Sequence, residues 1–165
     1  MHNTTTKRGV ITFSYDSNGL FNDVCLLSAY MTKNIVMESA SALDEFCVTE
    51  DEKDVYNECL RQTMSVIKDA VMDMAACCDN AFSDGIDGGN VIVSLRNNNA
   101  YNPNVLSLVD STIYDCLKYG ILSVFYSTNT HDGLFSMSSA KMGASLSQLR
   151  QRLFQLRKKP VTYQL

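Results

Sequence analysis

Apolar residues recur every three or four positions along most of this chain, which is the period of an amphipathic α-helix. Residues 34–48 lack a clear period and are compatible with a loop or with a short extra helix. The sequence therefore predicts a mainly α protein, a bundle of four to five helices. Its four apolar stripes are formed by Leu20, Val24, Leu27 and Met31, widened by Phe21, Cys25 and Ala29; by Leu60, Met64, Ile67, Val71, Met74 and Cys78; by Val105, Leu108, Val109, Thr112, Ile113, Cys116, Leu117, Gly120, Ile121, Val124 and Phe125; and by Met142, Leu146, Leu149, Leu153 and Leu156.

Polar residues and a glycine add detail to two of these helices. Thr49 and Glu52 have the spacing of a capping box, which predicts the start of a second helix of about thirty residues that ends before Ser83. Asn104 is the predicted cap of the third helix. Gly120 lies inside the third helix, where we expect it to allow close contact with another helix.

Two short segments have the composition and alternation of β-strands, and together they predict a small β excursion. Residues 10–15 place Ile11, Phe13 and Tyr15 on one face, and residues 90–96 lie between glycines and an asparagine-rich turn. We expect these two strands to pair with each other. Because two strands alone are only marginally stable, we also expect neighbouring subunits to complete the sheet.

The length of 165 residues fits one domain with a single core. The first residues are polar and rich in threonine, and such ends are seldom ordered without a partner. We therefore predict a flexible arm over residues 1–8, a single helical domain over residues 9–160 and a short tail over residues 161–165.

The formal net charge is -4 and the pI is near 5.0. This acidic balance argues against a protein that binds along nucleic acid through a positive overall charge. The main exception is a basic cluster near the end of the chain. Its ordinary interpretation is a solvated helix face whose last cations compensate the helix dipole. The functional alternative is contact with DNA phosphates or with an acidic partner surface. The cluster consists of Arg150, Arg152, Arg157, Lys158 and Lys159.

Metal ligands do not occur at the spacings that metal sites require. The six cysteines lack the close pairs of a zinc site. Asp79, Asp84 and Asp87 miss the alternate-residue spacing of a calcium loop. Because most cysteines fall on apolar stripes and the chain does not begin like a signal peptide, we expect free thiols, no metal site and no cofactor.

Catalytic motifs are also lacking in the sequence. Residues 85–89 are rich in glycine but have no lysine of a phosphate-binding loop. His131 and Asp132, taken with Ser127 or Cys116, have no nucleophile elbow beside them. We therefore predict that the protein is not an enzyme. No apolar run approaches the length of about 18 residues that crosses a bilayer, so we expect no membrane contact.

The order of the predicted elements resembles that of the head-to-tail connector, or adaptor, proteins of tailed bacteriophages. These have a helix near the start, a long second helix, a β excursion and two more helices. Residues 108–126 resemble their late helix, which ends in aromatic residues before a polar loop. The basic residues 149–160 resemble their closing segment.

This resemblance implies a non-enzymatic structural subunit of the virion neck. It implies a homo-oligomeric ring between portal and tail, assembled in the host cytoplasm, with the portal, the tail or other neck proteins as partners and with DNA passing through the lumen. The alternative is a cellular helical-bundle module for protein–protein interaction. Oligomer size separates the two hypotheses, since a closed ring of many copies favours the first and a stable monomer or dimer the second.

Overall fold

The computed structural model describes residues 2–7, 10–35, 46–72, 78–82, 89–96, 101–129 and 131–157. These residues are mostly helical, which confirms the predicted fold class. Of the segment left open at 34–48, residues 36–45 lie outside the described part. The helices are α1 (Ser17–Ile35), α2 (Lys53–Met72), α3 (Leu106–Thr128) and α4 (Asp132–Arg157), and single 3-10 turns, Glu50–Glu52 and Pro103–Val105, precede α2 and α3.

The strands form one antiparallel sheet with the order β1-β2-β4-β3. The predicted pairing of the two central strands is confirmed, with Ile11 opposite Leu95 and Phe13 opposite Val93. However, the described chain itself supplies a flanking strand on each side of this pair. The four strands are β1 (His2–Lys7), β2 (Val10–Asp16), β3 (Cys78–Phe82) and β4 (Asn90–Arg96).

The first strand corrects the prediction of a flexible arm over residues 1–8. His2–Lys7 pairs along its whole length with β2, with Lys7 opposite Val10 and His2 opposite Tyr15. The polar composition suggested an unstructured end, but threonine is β-branched and favours extended backbone. Backbone pairing with a buried neighbouring strand therefore orders a segment that buries little apolar surface of its own.

The second helix is shorter than predicted. α2 ends at Met72 after 20 residues, and Cys78 begins β3 instead of continuing the helical stripe. Met74 lies outside the described residues. The correction has a tertiary cause, because β3 pairs with β4 and places Phe82 opposite Val91. Such pairing overrides a local helical period.

The core lies between one face of the sheet and the helices. Ile11, Phe13 and Tyr15 of β2 are buried on this face, as are Val91, Val93 and Leu95 of β4. Helix α3 is the centre of this core, because α1, α2 and α4 all pack against it. Most of its predicted stripe is confirmed, since five of its residues are 0% exposed: Val109, Ile113, Cys116, Leu117 and Ile121. The exception is Leu108, which lies in the first turn of α3 and is 45% exposed.

Gly120 makes the close helix contact that the sequence predicts. A Cβ atom at this position would lie closer than 3.0 Å to Cγ2 of Thr63 on α2 and 3.0 Å from Cε of Met142 on α4. Helices α2, α3 and α4 therefore approach one another so closely at Gly120 that a side chain larger than a hydrogen atom does not fit without a shift of its neighbours.

One predicted cap is confirmed and the other is corrected. The carboxylate of Glu52 accepts a hydrogen bond from the backbone N–H of Thr49 at 3.2 Å, as a capping box requires. In contrast, Asn104 does not cap α3. Because Pro103 opens a 3-10 turn before α3, the side chain of Asn102 caps that turn and accepts from the N–H of Asn104 at 3.1 Å, while α3 itself has no side-chain cap.

Candidate assembly interface

Strand β1 forms an outer edge of the sheet. Within the described residues it pairs with β2 alone, so its other side presents N–H and C=O groups to which another strand can bond. Natural edge strands are commonly blocked by prolines, charges or bulges. The middle of β1 has three consecutive threonines, and its one lysine, Lys7, stands at the end. This edge is therefore suited to pairing with a strand from another chain.

The side chains of residues 3–6 of β1 are exposed on both faces of the sheet. Thr4 is opposite Phe13 and Thr6 is opposite Ile11, so these threonines share the face that packs on the helices. Phe13 and Ile11 are 0% exposed, yet Thr4 and Thr6 are exposed. The hydroxyl of Tyr101, just before α3, donates to that of Thr6 at 3.4 Å, but both threonines remain exposed, so a second chain can reach this face as well as the edge.

A second surface feature is a cavity between α1, α3 and α4, which we call the α1–α4 groove. Its volume is about 210 Å³, which is below the size of pockets that hold drug-sized ligands. Met31 is only 6% exposed, whereas Tyr30 is 67% and Met137 is 46% exposed on the two walls. The size and lining suit one or two apolar side chains of a partner. The groove is lined by Leu27, Tyr30, Met31, Tyr119, Met137 and Lys141.

Charge is divided unequally between two helices. Over residues 50–69, which include the capping turn and most of α2, six carboxylates stand against three cations, a formal charge of -3. Over α4, residues 132–157, four cations stand against one carboxylate, a formal charge of +3. A molecule with a net charge of -4 therefore has one acidic helix, α2 with its capping turn, and one basic helix, α4.

The basic cluster predicted from the sequence is only partly a free surface. Arg150 is exposed on α4, but the guanidinium of Arg152 donates to the carbonyl of Leu108 at 2.7 Å and also to the hydroxyl of Thr112. Arg152 therefore ties α4 to α3. Arg157 is the last residue of α4 and its side chain is not described, while Lys158 and Lys159 lie outside the described residues.

The residues considered for catalysis have structural roles. His131 caps α4, because its Nδ1 accepts from the N–H of Leu134 at 3.2 Å and its ring packs edge-on against Phe46. Cys116 is 0% exposed, and burial raises the pKa of its thiol to about 12. A thiol that stays protonated at neutral pH is a poor nucleophile. The described residues contain no group of three or more potential metal ligands, and Cys25, Cys59 and Cys116 are free thiols there.

Tyrosines connect the sheet to the helices. The hydroxyl of Tyr15 on β2 donates to the carbonyl of Asp110 on α3 at 3.2 Å, and the hydroxyl of Tyr114 donates to the carboxylate of Asp23 on α1 at 2.6 Å. The two rings lie 5.4 Å apart. Burial raises the pKa of both hydroxyls, so they remain donors at every physiological pH. The cluster therefore fastens α1, α3 and the sheet together.

Sequence reasoning missed the residues of both surface features. The groove brings together side chains from three helices that lie far apart in the sequence, and β1 looked like an arm. One local signal was present: Leu26 and Tyr30 are apolar residues off the α1 stripe, and both are strongly exposed, at 71% and 67%. Large apolar side chains that stand outside a stripe mark a surface that another molecule can cover.

None of the described helices combines the length and the apolar character needed to span a membrane. No family model matches the chain, and no curated protein or solved structure matches it either.

Proposed function

We propose that this protein is a non-enzymatic structural subunit that assembles into a ring in the neck of a tailed-phage particle, between portal and tail. The observation that supports the proposal best is the open edge of β1. Backbone groups on an edge strand whose middle residues are uncharged bond readily to a strand of another chain, and that pairing fixes register as well as contact.

The topology of the sheet favours head-to-tail assembly. Among the strands that the structure describes, the two at its edges are different, β1 and β3. Pairing β1 of one copy with β3 of the next repeats a single heterologous contact, which closes into a ring when the rotation between copies allows it. Pairing β1 with another β1 would instead give a two-fold dimer. A ring therefore needs only surfaces that the sheet already presents.

A pair of proline variants in β1 tests this assembly mode. Neighbouring residues of a strand point their N–H groups in opposite directions, so one of Thr4 and Thr5 donates toward β2 and the other toward the open edge. Thr4→Pro and Thr5→Pro each remove one N–H and are otherwise matched. The variant that loses the outward N–H should keep the thermal midpoint of the unmodified chain but fail to assemble.

Light scattering after gel filtration measures the assembly, and negative-stain micrographs show its symmetry. We expect the unmodified chain to form closed rings of many copies. A stable monomer at all concentrations would refute the proposal, as would normal assembly of both proline variants. The phage assignment has its own test: mass spectrometry should find the chain in purified particles, and particles made without it should lack tails.

A second candidate function is a cellular module that binds a helix of another protein, and the α1–α4 groove favours it. In that case the chain is a monomer or dimer, and proline in β1 leaves partner binding unchanged. Gel filtration of the purified chain separates the two candidates, because a closed ring elutes far ahead of a monomer of 18.4 kDa.

A further inference from the structure

We propose that the α1–α4 groove receives the outer face of α2 from the next copy of this chain, with Val66 in the groove and Asp69 beside Lys141. This inference rests on the proposed head-to-tail assembly, in which it adds a second contact to the pairing of β1 with β3. This second contact lies between helices, apart from the sheet edge, and it pairs an apolar groove with an apolar residue and a lysine with a carboxylate.

The outer face of α2 carries the features that the groove needs. Val66 is apolar and 43% exposed, although it stands on the solvent side of the helix. Asp69 follows three residues later, so it lies beside Val66 on the same face, and it too is exposed. Within the described residues Asp69 forms no ion pair, whereas Glu58 on the same helix is paired with Arg61.

Charge complementarity favours a second copy as the occupant. Lys141 is the one charged residue of the groove lining, and it stands on α4, whose formal charge is +3. The acidic segment 50–69 of the same chain has a formal charge of -3. Basic and acidic faces on one molecule attract each other between copies, and opposite charges that meet across an interface fix its register.

The position of the two helices is consistent with the same head-to-tail direction. Helix α1 follows directly on β2, and α2 contacts β3, so the two helices adjoin different strands of a sheet with the order β1-β2-β4-β3, while their rings Phe21 and Tyr56 lie 5.0 Å apart. A contact between α2 of one copy and the groove of the next is proposed to accompany pairing of β3 with β1. Both contacts belong to one heterologous interface.

Charge reversal with rescue tests the contact. Lys141→Glu and Asp69→Lys should each raise the concentration needed for assembly by about tenfold or more, because each places like charges together. The double variant, and an equimolar mixture of the two single variants, should restore it. Arg150→Glu is the matched control. It makes the same charge change on α4, but nine residues, about two and a half turns, from Lys141, so it lies on the opposite flank of the helix.

Photo-crosslinking identifies the occupant directly. A benzophenone amino acid replaces Tyr30 in a mixture of unlabelled and isotope-labelled chains, and crosslinked peptides are identified by mass. We expect crosslinks between copies to residues 62–70 of α2, whatever the final size of the assembly. Crosslinks within one copy, such as to residues 36–45, or to another surface of a second copy, would overturn the proposal.

The outcomes separate this inference from the proposed function. If the unmodified chain forms rings and neither reversal at Lys141 and Asp69 weakens them, the ring stands and this contact is wrong. If Arg150→Glu weakens assembly and Lys141→Glu does not, the interface uses the other flank of α4 and this contact is again wrong. If the chain forms no ring but position 30 crosslinks to α2 between copies, the contact stands and the ring is wrong.

Discussion

Replacing Gly120 by alanine should destabilise the protein, although alanine is the better helix former. Alanine in place of glycine inside a helix contributes about 1 kcal/mol. Against this, the new Cβ would lie closer than 3.0 Å to Cγ2 of Thr63, a buried side chain that cannot swing into solvent. Overpacking of this kind costs roughly 1–3 kcal/mol, and we take the upper end because Met142 closes the other side. The net loss is therefore about 2 kcal/mol.

Two further variants make this prediction specific. Gly143 is a glycine of α4 at which an added Cβ would meet no neighbouring atom within 4 Å, so Gly143→Ala should stabilise the protein by up to about 1 kcal/mol. Thr63→Ala in the Gly120→Ala background removes both threonine atoms nearest to the new Cβ. The double variant should recover about 1 kcal/mol or more relative to additive behaviour.

Urea unfolding followed by circular dichroism measures all five proteins, including Thr63→Ala alone, with the midpoint compared at constant slope. Gly120→Ala and Gly143→Ala should move the midpoint in opposite directions. If Gly120→Ala is as stable as the unmodified protein, or if Thr63→Ala brings no recovery, the close approach of α2, α3 and α4 at this point is wrong.

Three other measurements test the fold. Ile113→Ala should lower the free energy of unfolding by roughly 2–5 kcal/mol, because it leaves a cavity in the core. Leu108→Ala, at a half-exposed site on the same helix, should lower it far less. Equal losses of stability would show that α3 does not bury the face that carries Ile113. Arg152→Gln should lower the urea midpoint because it removes the tie to α3, while Arg150→Gln should leave it unchanged. Stability should fall as the pH rises from about 9 to 11, because burial raises the pKa of Cys116 from 9.0 to about 12 and the pKa values of Cys25 and Cys59 to about 11, so these thiols ionise first in the unfolded chain. A urea midpoint that is flat between pH 8 and 10.5 would contradict the burial of these thiols.

The helical part of the fold was predictable because its signal is local. An α-helix satisfies its backbone within four residues, so a period of three and four apolar positions specifies both the helix and the face that it buries. Ile113 and Leu117 were assigned to the core in this way, and both are 0% exposed. The same reasoning identified the capping box at Thr49, which depends on residues only three positions apart.

The candidate interface was much less predictable. The basic residues were visible as a cluster, but nothing in the sequence distinguishes Arg152, which bonds to α3, from Arg150, which faces solvent. The α1–α4 groove exists only where three helices meet, because Tyr30, Tyr119 and Lys141 are far apart in the chain. Such a surface is a product of packing, and no spacing rule anticipates it.

By itself, the sequence determined the helical class and most of the buried faces of the helices, and it indicated which two segments form the central strands. The apolar periods of these elements are strong and depend only on neighbours along the chain. Only the tertiary structure decided the edges of the sheet. A strand forms its hydrogen bonds with another strand and not within itself. Polar residues such as Thr4 and Thr5 therefore adopt a strand because their backbone groups pair with β2. For the same reason Cys78, which continues a helical period, pairs with Leu95 in β3 once β4 is in place.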